Sequence, residues 1–134
     1  MGHGCANTAD PRGAQLTATG TASPDTIVLT SKGEIASSLS VFLQGNATAS
    51  SGILFGDGVR CVAGTMKRLY TLHATGHIAS APGPSDPSIT AQSASHGDTI
   101  LPGTSRYYQV YYRDPSSTCT GLGFNVSNGM KIDW

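Results

Sequence analysis

The segment Arg106-Tyr107-Tyr108-Gln109-Val110-Tyr111-Tyr112-Arg113 carries four of the chain's five tyrosines and contains neither glycine nor proline. Aromatic and β-branched residues at this density specify a strand. A period of two sets Tyr108, Val110 and Tyr112 on one face and Tyr107, Gln109, Tyr111 and Arg113 on the other. The first face is the expected core. The second is unusually aromatic for a surface in water, and it is the candidate contact face. A cover of another strand, loop or domain is an equal alternative for it.

Around this strand the chain is cut short by turns. Leu16–Thr19 and Thr26–Thr30 read as strands, with Pro24-Asp25 as the turn between them. Ser38–Gln44 sets Leu39, Val41 and Leu43 against Ser38, Ser40 and Phe42. Residues 45–48 and 50–52 read as loop, and Ile53–Cys61 as a tight hairpin turning at Asp57-Gly58. Lys67–His73 is a strand with Leu69 and Thr71 opposed to Arg68, Tyr70 and Leu72. The proline-rich run 81–87 is a rigid loop, Ser88–Ser93 a weak strand and His96-Gly97-Asp98 a turn. Asn128-Gly129 turns the chain into a last strand with Met130, Ile132 and Trp134 inward. Short strands at even spacing predict an all-β fold, a single antiparallel β-sandwich over residues 13–134, preceded by an N-terminal segment, residues 1–12.

Composition narrows the function classes. A chain of 134 residues can bury one core as a single domain. Charged residues make up 12% with formal net charge zero, so hydroxyls and amides supply the solubility. The basic residues are scattered and only Lys67-Arg68 are adjacent, which argues against nucleic acid as a partner. No apolar run reaches the length of a membrane span. Met1-Gly2-His3-Gly4-Cys5 lacks the basic and apolar regions of a secretory signal, so the expectation is a fragment trimmed from a longer parent.

Four segments carry a family resemblance: Cys5-Ala6-Asn7, the run from Phe55 to Gly64, the run from Tyr108 to Pro115, and Phe124 to Gly129. With them the chain resembles an uncharacterised domain that recurs, often C-terminally, in large secreted proteins of planctomycetes and myxobacteria-like bacteria. The resemblance implies a secreted, modular, non-catalytic appendage and no known ligand. Within it, Cys5 and Cys61 are the favoured disulfide, tying the N-terminal segment to the sandwich. Cys61–Cys119 is the close alternative, and one of the three cysteines is left over.

The remaining candidates read as structural. The cysteines are too far apart for a CxxC redox or zinc signature. His73 and His77 have helical ligand spacing, but Thr75-Gly76 breaks the segment between them, and no metal site or cofactor is expected. Asp57, Asp86, Asp98 and Asp114 each adjoin glycine or proline, where aspartate bonds its own turn. Glu34, the only glutamate, has no evident carboxylate partner for glycosidase chemistry. Asn46-Ala47-Thr48 and Asn125-Val126-Ser127 are sequons. The expected function is therefore non-enzymatic: an extracellular or cell-surface structural or attachment domain, whose partners are neighbouring protein domains or copies of itself. The alternative is a carbohydrate-binding module that targets a secreted enzyme to polysaccharide. Tyr107, Gln109, Tyr111 and Arg113 are the candidate binding residues for either.

Overall fold

The computed structural model describes residues 4–116 and 121–134, so Cys119 lies outside the described residues. The fold is all-β, with antiparallel pairing throughout the described strands. In chain order the elements are β1 (Gln15–Thr19), β2 (Val28–Lys32), β3 (Leu39–Gly45), β4 (Ala47–Phe55), β5 (Gly58–Ala63), β6 (Lys67–His73) and β7 (Ile78–Ala81). Helix α1 (Ile89–Ser95) follows, then β8 (Ser105–Arg113), β9 (Phe124–Val126) and β10 (Met130–Asp133).

Three sheets are formed. The smaller sheet has the order β1-β2-β7 and the larger has the order β10-β8-β3-β6, with β9 also on β8. The third is the β4–β5 hairpin. One apolar cluster joins the first two sheets: Leu16, Leu29, Ala79 and Ala81 come from one, and Phe42, Tyr70, Tyr108 and Val110 from the other. Directly paired residues share a face. Thus Phe42, paired to both Val110 and Tyr70, carries three strands' core faces in register. Small alanines on one sheet leave room for the tyrosine rings of the other, which is how close packing is reached with few large aliphatics.

Strands β9 and β10 form one interrupted edge strand along β8. β10 pairs with Ser105–Tyr108 and β9 with Tyr111–Arg113. Ser127 bridges the gap, since its N–H donates to Val110 O and its hydroxyl accepts from Val110 N–H. At this break the Asn128 carboxamide bonds both the N–H and the carbonyl of Leu16, at 2.7 and 3.2 Å. It thereby holds the edge of β1 beside the larger sheet.

Several elements differ from the sequence pattern. The expected strand at Ser88–Ser93 is helix α1. Ser88 caps it by accepting from Ala91 N–H, Asp25 accepts from Thr90 N–H, and Ile89 and Ser93 form its buried face four residues apart. Residues 47–48 and 50–52, expected as loop, belong to β4, and β7 and β9 are short strands that no strong pattern marks. The β4–β5 turn centres on Gly56-Asp57 rather than Asp57-Gly58, with Gly56 at φ +62°. A Cβ there would also stand 2.3 Å from Phe124 O, so the turn accepts only glycine. In β3–β6 the register shifts between Phe42 and Leu43. The bulge buries both Leu69 and Tyr70 and sends Arg68 to the opposite face from Tyr70, where the simple alternation had grouped them.

Glu34, between β2 and β3, is fully buried. Its carboxyl meets the hydroxyls of Ser38 and Ser40, with Ser31 beside it, and no cation pairs with it among the described residues. Burial raises its pKa, and the three serine hydroxyls only partly oppose that. Below the ordinary carboxyl range both folded and unfolded chains hold this proton. As pH rises, the unfolded chain releases it first, so stability declines until the folded-state pKa is passed. Glu34→Gln keeps the shape without the titration. Urea unfolding should show its stability relative to the parent chain growing from pH 4 to pH 7, and parallel profiles would refute a protonated Glu34.

Candidate functional site

The outer face of β8, away from the core, is covered at its middle. Gln109 is 1% exposed. Its Oε1 accepts from Cys61 N–H at 2.9 Å, and its Nε2 donates to Val59 O at 2.8 Å and Ser127 O at 2.7 Å. The carboxamide meets the N–H of residue 61 and the carbonyl of residue 59 on β5, the alternate groups a neighbouring strand would use. The β4–β5 hairpin is thus fixed over the larger sheet by a side chain standing in for a ladder. The open row of Tyr107, Gln109, Tyr111 and Arg113 is therefore corrected: the four residues share a face but do not share one surface.

The hairpin divides that face. On one side Tyr107 is half-buried in a mostly apolar cavity of about 260 Å³ with Cys61, Val62 and Met130. On the other, Tyr111 packs in an edge-to-face cluster, 5.5 Å from Phe55 and 6.2 Å from Phe124 between ring centroids. Phe55 and Phe124 are 4.9 Å apart, and Asp57 N–H donates to Phe124 O, so the hairpin tip rests on β9. Arg113 is exposed at the strand's end, in a separate shallow recess with His73 and Pro115.

Among the described residues the N-terminal segment is held without a disulfide. Cys5 and Cys61 are both free thiols, so the expected Cys5–Cys61 tie is corrected. Instead, Thr8 donates both its N–H and its hydroxyl to the buried Asp114 carboxylate, at 3.0 and 2.6 Å. Asn7 donates to Gly33 O and to Tyr112 Oη, and Asn125 donates to Ala6 O. These bonds place Cys5 beside the β9 end of the sheet, with its carbonyl facing Asn125 and Gly13. Cys61 sits instead on β5, over Gln109. Asn125, a sequon residue, is fully buried by the same arrangement.

Beside Tyr111 lies a cleft of about 250 Å³ that no sequence pattern had marked. Its cations are Arg60 from β5 and Lys67 and Arg68 from β6, and its apolar walls are Leu43, Phe55 and Met66. The Arg60 guanidinium carbon stands 5.4 Å from the Phe55 centroid, and that of Arg68 stands 6.0 Å from the Tyr111 centroid. Each contact is worth about 0.5–1 kcal/mol at an exposed site, and it lays the guanidinium on a ring while leaving N–H donors free. Arg60 Nε is buried and has no hydrogen-bond partner. No carboxylate of the described residues lines the cleft, although Lys67 is within electrostatic reach of Asp98. Two details of β-geometry build it: the bulge that turns Arg68 outward, and the Gln109 bonds that hold Arg60 above it.

Other candidates resolve into structure. His73 and His77 bond separate carbonyls, of Ser37 and Glu34, and the described residues contain no cluster of three or more possible metal ligands. Asp98 pairs with Arg106 at 2.7 Å and accepts from Gln44, and the hydrogen bond from Arg106 is the main cause that lowers its pKa. Asp86 bonds within its own turn, to Gly83 N–H, as the sequence predicted. No helix of the described residues is long and apolar enough to cross a membrane.

Replacing Gln109 by Leu strands the N–H of residue 61 and the carbonyls of residues 59 and 127. Urea denaturation should show a loss of about 2–3 kcal/mol or more, because each orphaned buried group costs ~1–3 kcal/mol; a neutral result would mean that the hairpin is held otherwise. Non-reducing peptide mapping should yield no Cys5–Cys61 linked peptide. Comparison of the chain with family models, curated proteins and solved structures returns no significant match.

Proposed function

We propose that this chain is a non-catalytic module that attaches an extracellular protein to a surface, in line with its resemblance to secreted appendage domains. The observation that carries this reading is the cleft beside Tyr111. It offers guanidinium donors held on aromatic rings, and no carboxylate of the described residues lines it. Fixed guanidinium forks beside an apolar wall suit the binding of a polar or anionic ligand. Elsewhere Asn7 and Gln109 donate to backbone carbonyls, Asp114 accepts a backbone N–H, and Gln44 bonds the side chains of Tyr108, Ser93 and Asp98.

A structural reading has one observation of its own. Among the described residues strand β4 pairs only with β5, its nine residues include no charge, and Leu54 on it is 86% exposed. Charges and prolines ordinarily protect such an edge, so β4 suits strand addition by a second copy.

The two readings separate experimentally. On beads bearing cellulose, chitin or polygalacturonate, attachment through the cleft predicts retention that falls at least about tenfold in the Arg60→Ala, Arg68→Ala double variant, as expected when charge-assisted bonds are removed. Leu54→Lys should leave retention intact. Assembly through β4 predicts the reverse: concentration-dependent sedimentation of the parent chain that Leu54→Lys abolishes. Retention on none of the three supports would refute the attachment reading.

A further inference from the structure

We infer that the cleft formed by Arg60, Arg68, Phe55 and Tyr111 recognises a uronic-acid residue, the carboxylate-bearing sugar of an acidic polysaccharide. The inference rests on the attachment reading and names its ligand class.

Charge comes first. The chain as a whole is neutral, yet two arginines converge on this cleft without an ion pair among the described residues. Three acids are engaged elsewhere: Asp98 by Arg106, Asp114 by Thr8 and Asp133 by Lys131. An anion entering the cleft finds donors and no competing carboxylate along its walls. The buried Nε of Arg60 is a donor already removed from water and awaiting an acceptor, so an anion that reaches it recovers a desolvation cost the folded chain already carries.

Shape comes second. Both ring faces nearest the cations are occupied by guanidinium groups, so the rings do not serve as open stacking platforms for a neutral sugar. They fix the two forks, and a planar carboxylate matches a fork's paired donors. The buried Leu43 and the partly exposed Met66 add an apolar wall beside the donors. A pyranose ring bearing its carboxylate directly presents a C–H face and an anion together, whereas an aspartate or glutamate side chain brings only one or two methylenes. The volume of about 250 Å³ lies below the ~300–1,000 Å³ of pockets that enclose whole drug-sized ligands, which suits one ring of a polymer that continues outside.

The test is calorimetric or NMR titration of the chain with a tetramannuronate, against cellotetraose and tetraglutamate as neutral and peptidic controls. The expected result is binding to the tetramannuronate alone, weakened by added salt. Arg68→Ala should weaken it about tenfold, in keeping with loss of a charge-assisted fork. Arg68→Lys, which keeps the charge and loses the fork, should fall between the two. Arg68 is exposed, so its variants should melt with the parent chain and keep the test valid even if Arg60→Ala unfolds. Equal binding of cellotetraose, equal binding of tetraglutamate, or no binding of the tetramannuronate would each overturn the inference. Retention on chitin or cellulose beads with no tetramannuronate binding would overturn it while leaving the attachment reading standing.

Discussion

The middle of strand β8 is covered on both faces, and its polar groups there must find partners inside the protein. On the core side Tyr108, Val110 and Tyr112 are fully buried, and on the other side Gln109 is buried under the hairpin. A buried amide or hydroxyl without a partner costs about 1–3 kcal/mol. The chain meets that demand with neutral groups: Tyr108 Oη donates to Gln44, Tyr112 Oη accepts from Asn7, and Gln109 bonds β5 and the Ser127 carbonyl. Neutral donors and acceptors avoid the larger desolvation cost of buried ions. That choice accounts for a fold with few charges and many amides in its interior.

The same solution positions the site. Because Gln109 holds β5 rather than facing solvent, the outer face is split into a Tyr107 cavity and a Tyr111 cleft. Arg60 follows Val59 on the strand that Gln109 fixes, and the β6 bulge brings Arg68 to meet it across Leu43. A cationic pocket thus arises where two elements distant in sequence converge, on a chain with no cationic run beyond Lys67-Arg68.

Carboxyl groups in this chain are governed by their neighbours rather than by their numbers. Asp98 lies beside Arg106, whose hydrogen bonds favour the ionised form. Glu34 lies among serines with no cation among the described residues, and burial favours the neutral form. Asp114 is buried yet receives Thr8 through both N–H and hydroxyl, and that capture secures the N-terminal segment where a disulfide had been expected.

The sequence alone determined the all-β class, the tyrosine strand and its two faces, the proline loop and the inward set of the last strand. Each depends on local rules: a period of two, β-branched and aromatic density, and turn chemistry. Tertiary structure decided the rest. Whether an aromatic face is open or covered depends on a hairpin fifty residues away, and alternation within β8 is identical in both cases. A single-residue bulge in β6 reversed the face of Arg68, a shift no local pattern records. A Ser-capped turn whose next amide is accepted by Asp25, 65 residues distant, made a helix of a segment with weak strand character. The disulfide expectation rested on shared motifs, whereas proximity of two thiols is set by chain path. The cleft was illegible for the same reason, since its arginines, aromatic rings and apolar wall come from β3, β4, β5, β6 and β8, and only their packing makes them neighbours.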